Sequence, residues 1–248
     1  MRLKKQNVVF KLNHDWQGWN QNSLMFKTTS NFFTTHPDVT LLSLGGASWP
    51  HLGSDGSWVN IFEKQGIKTS KLRPSNCGFL VKWSDVFSKR FEGKTLKSVI
   101  LSFKDYKIKG EFIITKNGVE GSAIYALSSF LREEININRF AQLKLDLKPD
   151  LDFKEILKRL QRPKFKITVS NYLRKTLNLS DVAIGLLMEL PVRKKFNELS
   201  PEEITNLIKF YTLNLEKPFG INRAISTAGG VTFNSIDDNF MLIKKPNV

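Results

Sequence analysis

The chain has 248 residues, 41% of them hydrophobic, with 38 lysines and arginines against 23 acids and a formal net charge of +15. That apolar content suffices for packed cores and excludes global disorder, and no run of about 18 apolar residues is present to form a membrane-spanning helix. Cys77 is the single cysteine, which excludes internal disulfides and four-cysteine metal sites, and the scatter of His14, His36 and His51 argues against a histidine-based metal site.

The N-terminus, MRLKKQNVVFKLNHDW, has no long apolar stretch behind its basic residues and is not a secretory signal; a reducing, cytoplasmic setting fits. Residues 1–38 predict short strands at Val8–Phe10 and Leu24–Phe26, with Trp16 and Trp19 as core aromatics around a glycine-containing turn. Residues 39–66 read as strand, glycine loop, helix. The apolar run Val39–Leu44 empties into Gly45-Gly46. After Gly53-Ser54-Asp55-Gly56 comes a helix capped by Ser54 or Asp55, with Trp58, Ile61 and Phe62 on one face and Gly66 at its end. Residues 71–120 read as all β, with strands at Phe79–Val81, Val99–Phe103 and Lys107–Thr115. The last of these turns at Asn117-Gly118 into a strand from Val119.

A helical period begins after Gly121-Ser122 and runs to Glu134, with Ile124, Leu127, Leu131 and Ile135 in register. Gln142–Leu147 alternates as a strand, closed by Pro149-Asp150. Four helices follow: 152–161, ending before Arg162-Pro163; 168–177; Ser180 to Pro191; and one opening with Ser200-Pro201-Glu202-Glu203. That opening is a serine cap, a proline at the first helical position and a glutamate at the third. The helix's apolar face is Ile204, Leu207, Ile208 and Tyr211. Residues 213–233 return to strand and glycine loop, with Ala224–Ser226 as the strand before Thr227-Ala228-Gly229-Gly230-Val231.

The order is thus an α/β unit, a β module, a helical module and a return, which suggests a host domain split by inserted modules. Gly45-Gly46 lets the backbone approach a ligand, and the helix behind it offers free amides to an anion. G-x-G-x-x-G is absent from the sequence, so this is not a dinucleotide fingerprint, and a purely structural turn is the alternative. Two strand-to-Gly-Gly junctions point to one shared cavity. Gly118-Val119-Glu120-Gly121-Ser122 reads instead as a hairpin turn and helix cap. There is no G-x-S-x-G and no His in a nucleophile pattern. Cys77 reads as a small buried residue, and Asp146, Asp150 and Asp152 as acids at strand edges and helix starts. No catalytic residue is assigned; any chemistry belongs to a bound cofactor. The basic group at 158–175 (Lys158, Arg159, Arg162, Lys164, Lys166, Arg174, Lys175), with Arg193-Lys194-Lys195 beyond it, reads as surface charge in preference to a nucleic-acid site. A basic module binding nucleic acid or protein is the rival reading.

The segments LGGASWPHLGSDGSWV, LRPSNCGFLVKWS, GVEGSAIYALS, LKLDLKPDL and AISTAGGV occur in this order and span essentially the whole chain. Together they resemble the bacterial NAD(P)/FAD-dependent oxidoreductases related to BaiN, some of them described as aminoacetone oxidase-like. The resemblance implies an α/β fold in which a Rossmann-type FAD-binding domain is interrupted by a β-barrel and a small helical bundle. On this chain that means a partial FAD-binding domain at 1–70, a barrel insert at 71–147, a helical insert at 148–213, and a return to barrel and FAD-binding domain at 214–248. It also implies FAD as cofactor, NADH or NADPH as electron source and a small organic substrate. The flavin-proximal positions it implies are Gly45, Gly46, Ser48, Pro50, Gly53, Ser54 and Gly56, with Thr227, Gly229 and Gly230. Family members open with a strand and a G-x-G-x-x-G turn for the pyrophosphate, and continue past Asn247-Val248 into a segment rich in Gly, Glu and Trp. The expectation is therefore a piece of a flavin site: a split gene product whose partner is a separate chain carrying the N-terminal FAD-binding half, a relic, or a truncated chain.

Overall fold

The computed structural model describes residues 2–161, 167–189 and 196–248. In chain order, α1 (Arg2–Lys5) precedes β1 (Asp15–Asn20), β2 (Ser23–Lys27) and β3 (Phe32–Thr35). A 3-10 turn at Pro50–Leu52 and α2 (Trp58–Lys64) lead to β4 (Thr69–Pro74) and β5 (Phe79–Leu80). Next come α3 (Asp85–Phe91), β6 (Thr95–Phe103), β7 (Tyr106–Thr115), β8 (Gly118–Glu120), α4 (Ser122–Asn138) and β9 (Ala141–Asp146). Then α5 (Phe153–Leu160), α6 (Val169–Leu177), α7 (Asp181–Glu189) and α8 (Pro201–Lys209) follow in succession, before β10 (Tyr211–Leu215) and β11 (Thr227–Val231). The fold is mixed α/β, and it divides into two compact units, Met1–Arg73 with Thr227–Val248, and Pro74–Ser226. No helix among the described residues is long and apolar enough to cross a membrane.

The second unit is built on a six-stranded sheet in the order β10-β9-β6-β7-β8-β5, with antiparallel pairings throughout. Strict alternation sends one side of each strand inward: Leu145 sits opposite both Leu101 and Tyr211, and Leu143 opposite Leu213, all buried. The 3.6-residue stripe of α4 meets this face with Ile124, Leu127 and Leu131 fully buried, as the sequence predicts, and the helix runs on to Asn138. Asn117-Gly118 makes the predicted hairpin, with Ile114 opposite Val119 and Thr115 opposite Gly118.

The four later helices start where their side-chain caps lie. Asp152 accepts from the Glu155 amide, Thr168 from Asn171 and Ser180 from Ala183. Ser200 and Glu203 form a full capping box. Arg162-Pro163 and Pro191, proposed as helix ends, lie outside the described residues. The expectation of an all-β stretch over 71–120 is corrected by α3. Ser84 caps that helix by accepting from the Phe87 amide, and Phe87 and Phe91, one turn apart, are buried. A period of four is easily lost inside a run of strand-formers, and here the cap decides it.

Cys77 is fully buried in this core, as expected, and burial pushes its thiol up to about 11. A thiol whose folded pKa lies above the unfolded value of 9.0 contributes stability that is complete below pH 9 and lost as pH rises towards 11. The expected loss is about 3 kcal/mol. Alkaline unfolding of wild type and Cys77→Ala checks this: the gap between the two should close over that window, and a disulfide-exchange reagent at pH 8 should leave the folded thiol unmodified.

The first unit carries a meander, β1-β2-β3, and a two-stranded β11-β4 ribbon. Its separate core is formed by Trp19, Leu24, Phe62, Ile67 and Leu242, with Trp16 packed against it, so both tryptophans are core aromatics as expected. They lie on a strand with a bulge between Trp16 and Gly18 and do not flank a free turn. Three apolar runs read as strands are corrected. Val8–Phe10 and Val39–Leu44 form no ladder and expose Val9 (75%) and Leu41 (90%). In the second unit Ala224–Ser226 is also outside any strand. Apolar β-branched composition makes a strand only where a neighbouring backbone completes the hydrogen bonds.

Candidate functional site

Within the first unit, the Gly45-Gly46 turn is held from below by Thr227. The Ala47 amide donates to Thr227 Oγ1 (3.0 Å), and that hydroxyl donates in turn to Ser48 Oγ (3.4 Å). A Cβ on Gly46 would overlap the Thr227 hydroxyl and lie 2.7 Å from its Cβ, so only glycine lets the two segments close. Trp58, in the first turn of α2, donates its indole N–H to the Gly45 carbonyl (3.1 Å) and fixes the other side. Among the described residues the amides of Leu41 to Gly46 find no acceptor, which leaves the Gly45 and Gly46 N–H groups for a ligand oxygen.

Beside the turn lies an open apolar groove of about 370 Å³, with Leu42, Leu44, Trp58, Phe62, Phe240 and Leu242 on its walls and Gly45 and Val231 at its rim. It is wide enough for an aromatic ring system, in the range of small-molecule sites. A planar cofactor with an anionic arm fits these residues: aromatic side chains at the groove for the ring and amides beside it for an oxygen.

The implied site residues are brought together only in part. Gly45, Gly46, Ser48 and Thr227 form the clip itself. Ser54 approaches Gly45, where a Cβ would lie 3.2 Å from Ser54 Oγ, and Gly56 packs under Ala47 and Leu72. Pro50 opens a 3-10 turn after Trp49, and Gly53 closes it with open space around its Cα. Gly229 and Gly230 are corrected from a loop after a strand to positions inside β11, where Gly229 lets the ribbon partner's Lys71 carbonyl approach. The cap expected at Ser54 or Asp55 is also corrected. Ser57 is the N-cap and makes no side-chain capping bond, while Asp55 Oδ1 accepts from the Ser57 amide (2.9 Å); that bond, with one from the Ser57 side chain, holds the carboxyl below its usual range. The sequence reading places Trp58 on the apolar face of its helix without giving it a role at the site, and it singles out neither Phe240 nor Leu242. Trp58 carries a readable signal, an aromatic in the first turn behind a glycine loop; the other two come from 180 residues or more along the chain.

Elsewhere, two of the four described members of the basic group of the helical module are in ion pairs. Arg159 pairs with Glu155 (2.8 Å) and Arg174 with Asp181 (2.5 Å). Arg162, Lys164, Lys166 and Arg193-Lys194-Lys195 lie outside the described residues. Asp146 pairs with Lys209 (2.6 Å), Asp150 with Lys148 (3.0 Å), and Asp152 caps α5. No group of three His, Cys, Asp or Glu among the described residues could hold a metal ion.

The second unit is thus an antiparallel half-barrel sheet with a set of short capped helices, the architecture of a barrel-and-helix domain. Residues 73–226 match the family described as HI0933-like protein barrel and H2TH domain; this is more than half of the chain, and the chain belongs to that family. The family falls among the HI0933/BaiN-like flavoproteins and is associated with FAD binding, in keeping with the resemblance carried by the five segments. No curated protein matches the sequence.

Proposed function

We propose that the chain is the barrel-bearing part of a FAD-dependent oxidoreductase that acts on a small organic substrate, and that its first unit is the remnant of a Rossmann-type FAD-binding domain. The observation that carries this is the Gly45-Gly46 turn, clipped by Thr227, with unpaired amides beside an aromatic groove. Membership of a family associated with FAD binding supports it. Bound flavin would supply the redox chemistry, with NADH or NADPH as reductant. The residues here would orient it: Gly45 and Gly46 amides on an oxygen of the flavin or its ribityl arm, and Trp58 and Phe62 against the ring.

The pyrophosphate needs a strand, a G-x-G-x-x-G turn and a helix N-terminus, and that motif does not occur in these residues. We propose that a separate chain supplies it. The run 39–44 suits such a partner: the amides of Leu41 to Leu44 find no acceptor among the described residues, and Val39 and Leu41 are exposed. Hydrogen exchange tests the reading on the chain co-produced with a strand–G-x-G-x-x-G–helix half. With FAD bound, the Gly45 and Gly46 amides should slow at least about tenfold, and Thr227→Val should lose most of that protection while staying folded. Unchanged exchange at both amides, with flavin demonstrably bound, would move the site elsewhere.

A further inference from the structure

A second cavity in the first unit, about 410 Å³, lies between the β1-β2 hairpin and the segment 244–248. Its ionisable side chains are all basic, and Val248, the last residue, lines it as well. Lys244, Lys245 and His36 line it, and no aspartate or glutamate does. Neither lysine has an acidic partner among the described residues. Lys245 Nζ lies 5.6 Å over the Trp19 ring and donates to the Gln21 carbonyl (2.9 Å), leaving further N–H groups. His36 is held by Ser23 Oγ, 3.1 Å from Nε2.

Trp19 supplies an independent sign. It is 8% exposed, lines the cavity, and its indole N–H is buried without an acceptor, as is that of Trp16, whose ring crosses it edge to face at 4.9 Å. Indole can only donate, and a buried donor without an acceptor is rare. Leu24 and Pro37 give the cavity an apolar side opposite the cations.

We propose that this cavity binds a small organic anion. Its carboxylate or phosphate end lies between Lys244, Lys245 and His36, and its apolar body rests on Leu24 and the Trp19 ring. The site shares no described function with the Gly45-Gly46 turn and stands whether or not flavin binds.

The test is a ¹⁵N correlation spectrum of the full chain, with the Trp19 indole signal identified by its loss in Trp19→Phe. Benzoate and phenyl phosphate should shift that signal saturably, and neutral benzamide should not. Lys244→Gln, an exposed change that leaves the core untouched, should weaken benzoate binding about tenfold, as should Lys245→Gln, while Lys245→Arg should retain it. Absence of a saturable shift, an equal shift with benzamide, or full affinity in Lys244→Gln would overturn the proposal. Inorganic phosphate binding as tightly as phenyl phosphate would overturn the apolar half of it.

Discussion

Gly118→Ala is expected to destabilise the barrel unit by about 3 kcal/mol or more, lowering its urea midpoint by about 1 M or more. Gly118 lies on β8 opposite Leu80 of β5, and it is buried. An added methyl would overlap the Phe79 carbonyl oxygen and approach the Phe79 carbonyl carbon to 2.9 Å and Leu80 Cα to 3.0 Å. These are backbone atoms of the neighbouring strand, so no rotamer change relieves the clash; the strands must part. Trp83 is tied to the same point, its indole donating to the Gly118 carbonyl (3.2 Å). Far-UV circular dichroism in urea gives the midpoint, and a Trp83 emission shift reports the local opening. A midpoint within about 0.3 M of wild type would mean that β5 and β8 do not pack this closely.

Gly229→Ala should have a comparable effect in the other unit, through two separate causes. Its φ of +98 is one that L-residues rarely adopt. The methyl would also overlap the Lys71 carbonyl oxygen of β4 and lie 2.9 Å from its carbon. Strain of about 1–2 kcal/mol adds to a backbone clash of about 1–3 kcal/mol, enough to part the β4-β11 ribbon. Thr227 opens β11 and clips the Gly45-Gly46 turn, so the site should fail with the ribbon. Four of the five tryptophans, Trp16, Trp19, Trp49 and Trp58, belong to this unit, so native fluorescence follows its unfolding. Loss of that signal at lower urea with the barrel transition unmoved is the expected result; coincident wild-type transitions would refute the ribbon's role.

These two glycines show what the sequence disclosed and what it hid. Asn117-Gly118 announces a hairpin because the turn chemistry is local, but the close approach of Phe79 to Gly118 arises between strands and leaves no local mark. The capping box at Ser200-Glu203 and the stripe Ile124, Leu127, Leu131 were legible for the same reason: each is set by residues three or four apart. Val39–Leu44 misled, because its composition says strand while strand formation depends on a neighbour that these residues do not supply. At the site, Gly45 and Gly46 stand out in the sequence. Thr227, about 180 residues away, is placed beside them by the second Gly-Gly junction that it opens and by family resemblance, since no periodicity links the two. The barrel's identity rested on the same resemblance and now rests on the match over 73–226.

In the proposed assembly the Gly45-Gly46 turn and Thr227 form the flavin-facing part of a site completed by a G-x-G-x-x-G-bearing partner. The most direct measurement is the visible absorbance spectrum of the purified chain, alone and with that partner, after incubation with FAD and desalting. The account predicts a retained flavin band in the complex, and its loss when Gly46→Val pushes the turn off Thr227. A colourless complex of two folded, associated chains, or a band indifferent to Gly46→Val, would contradict it.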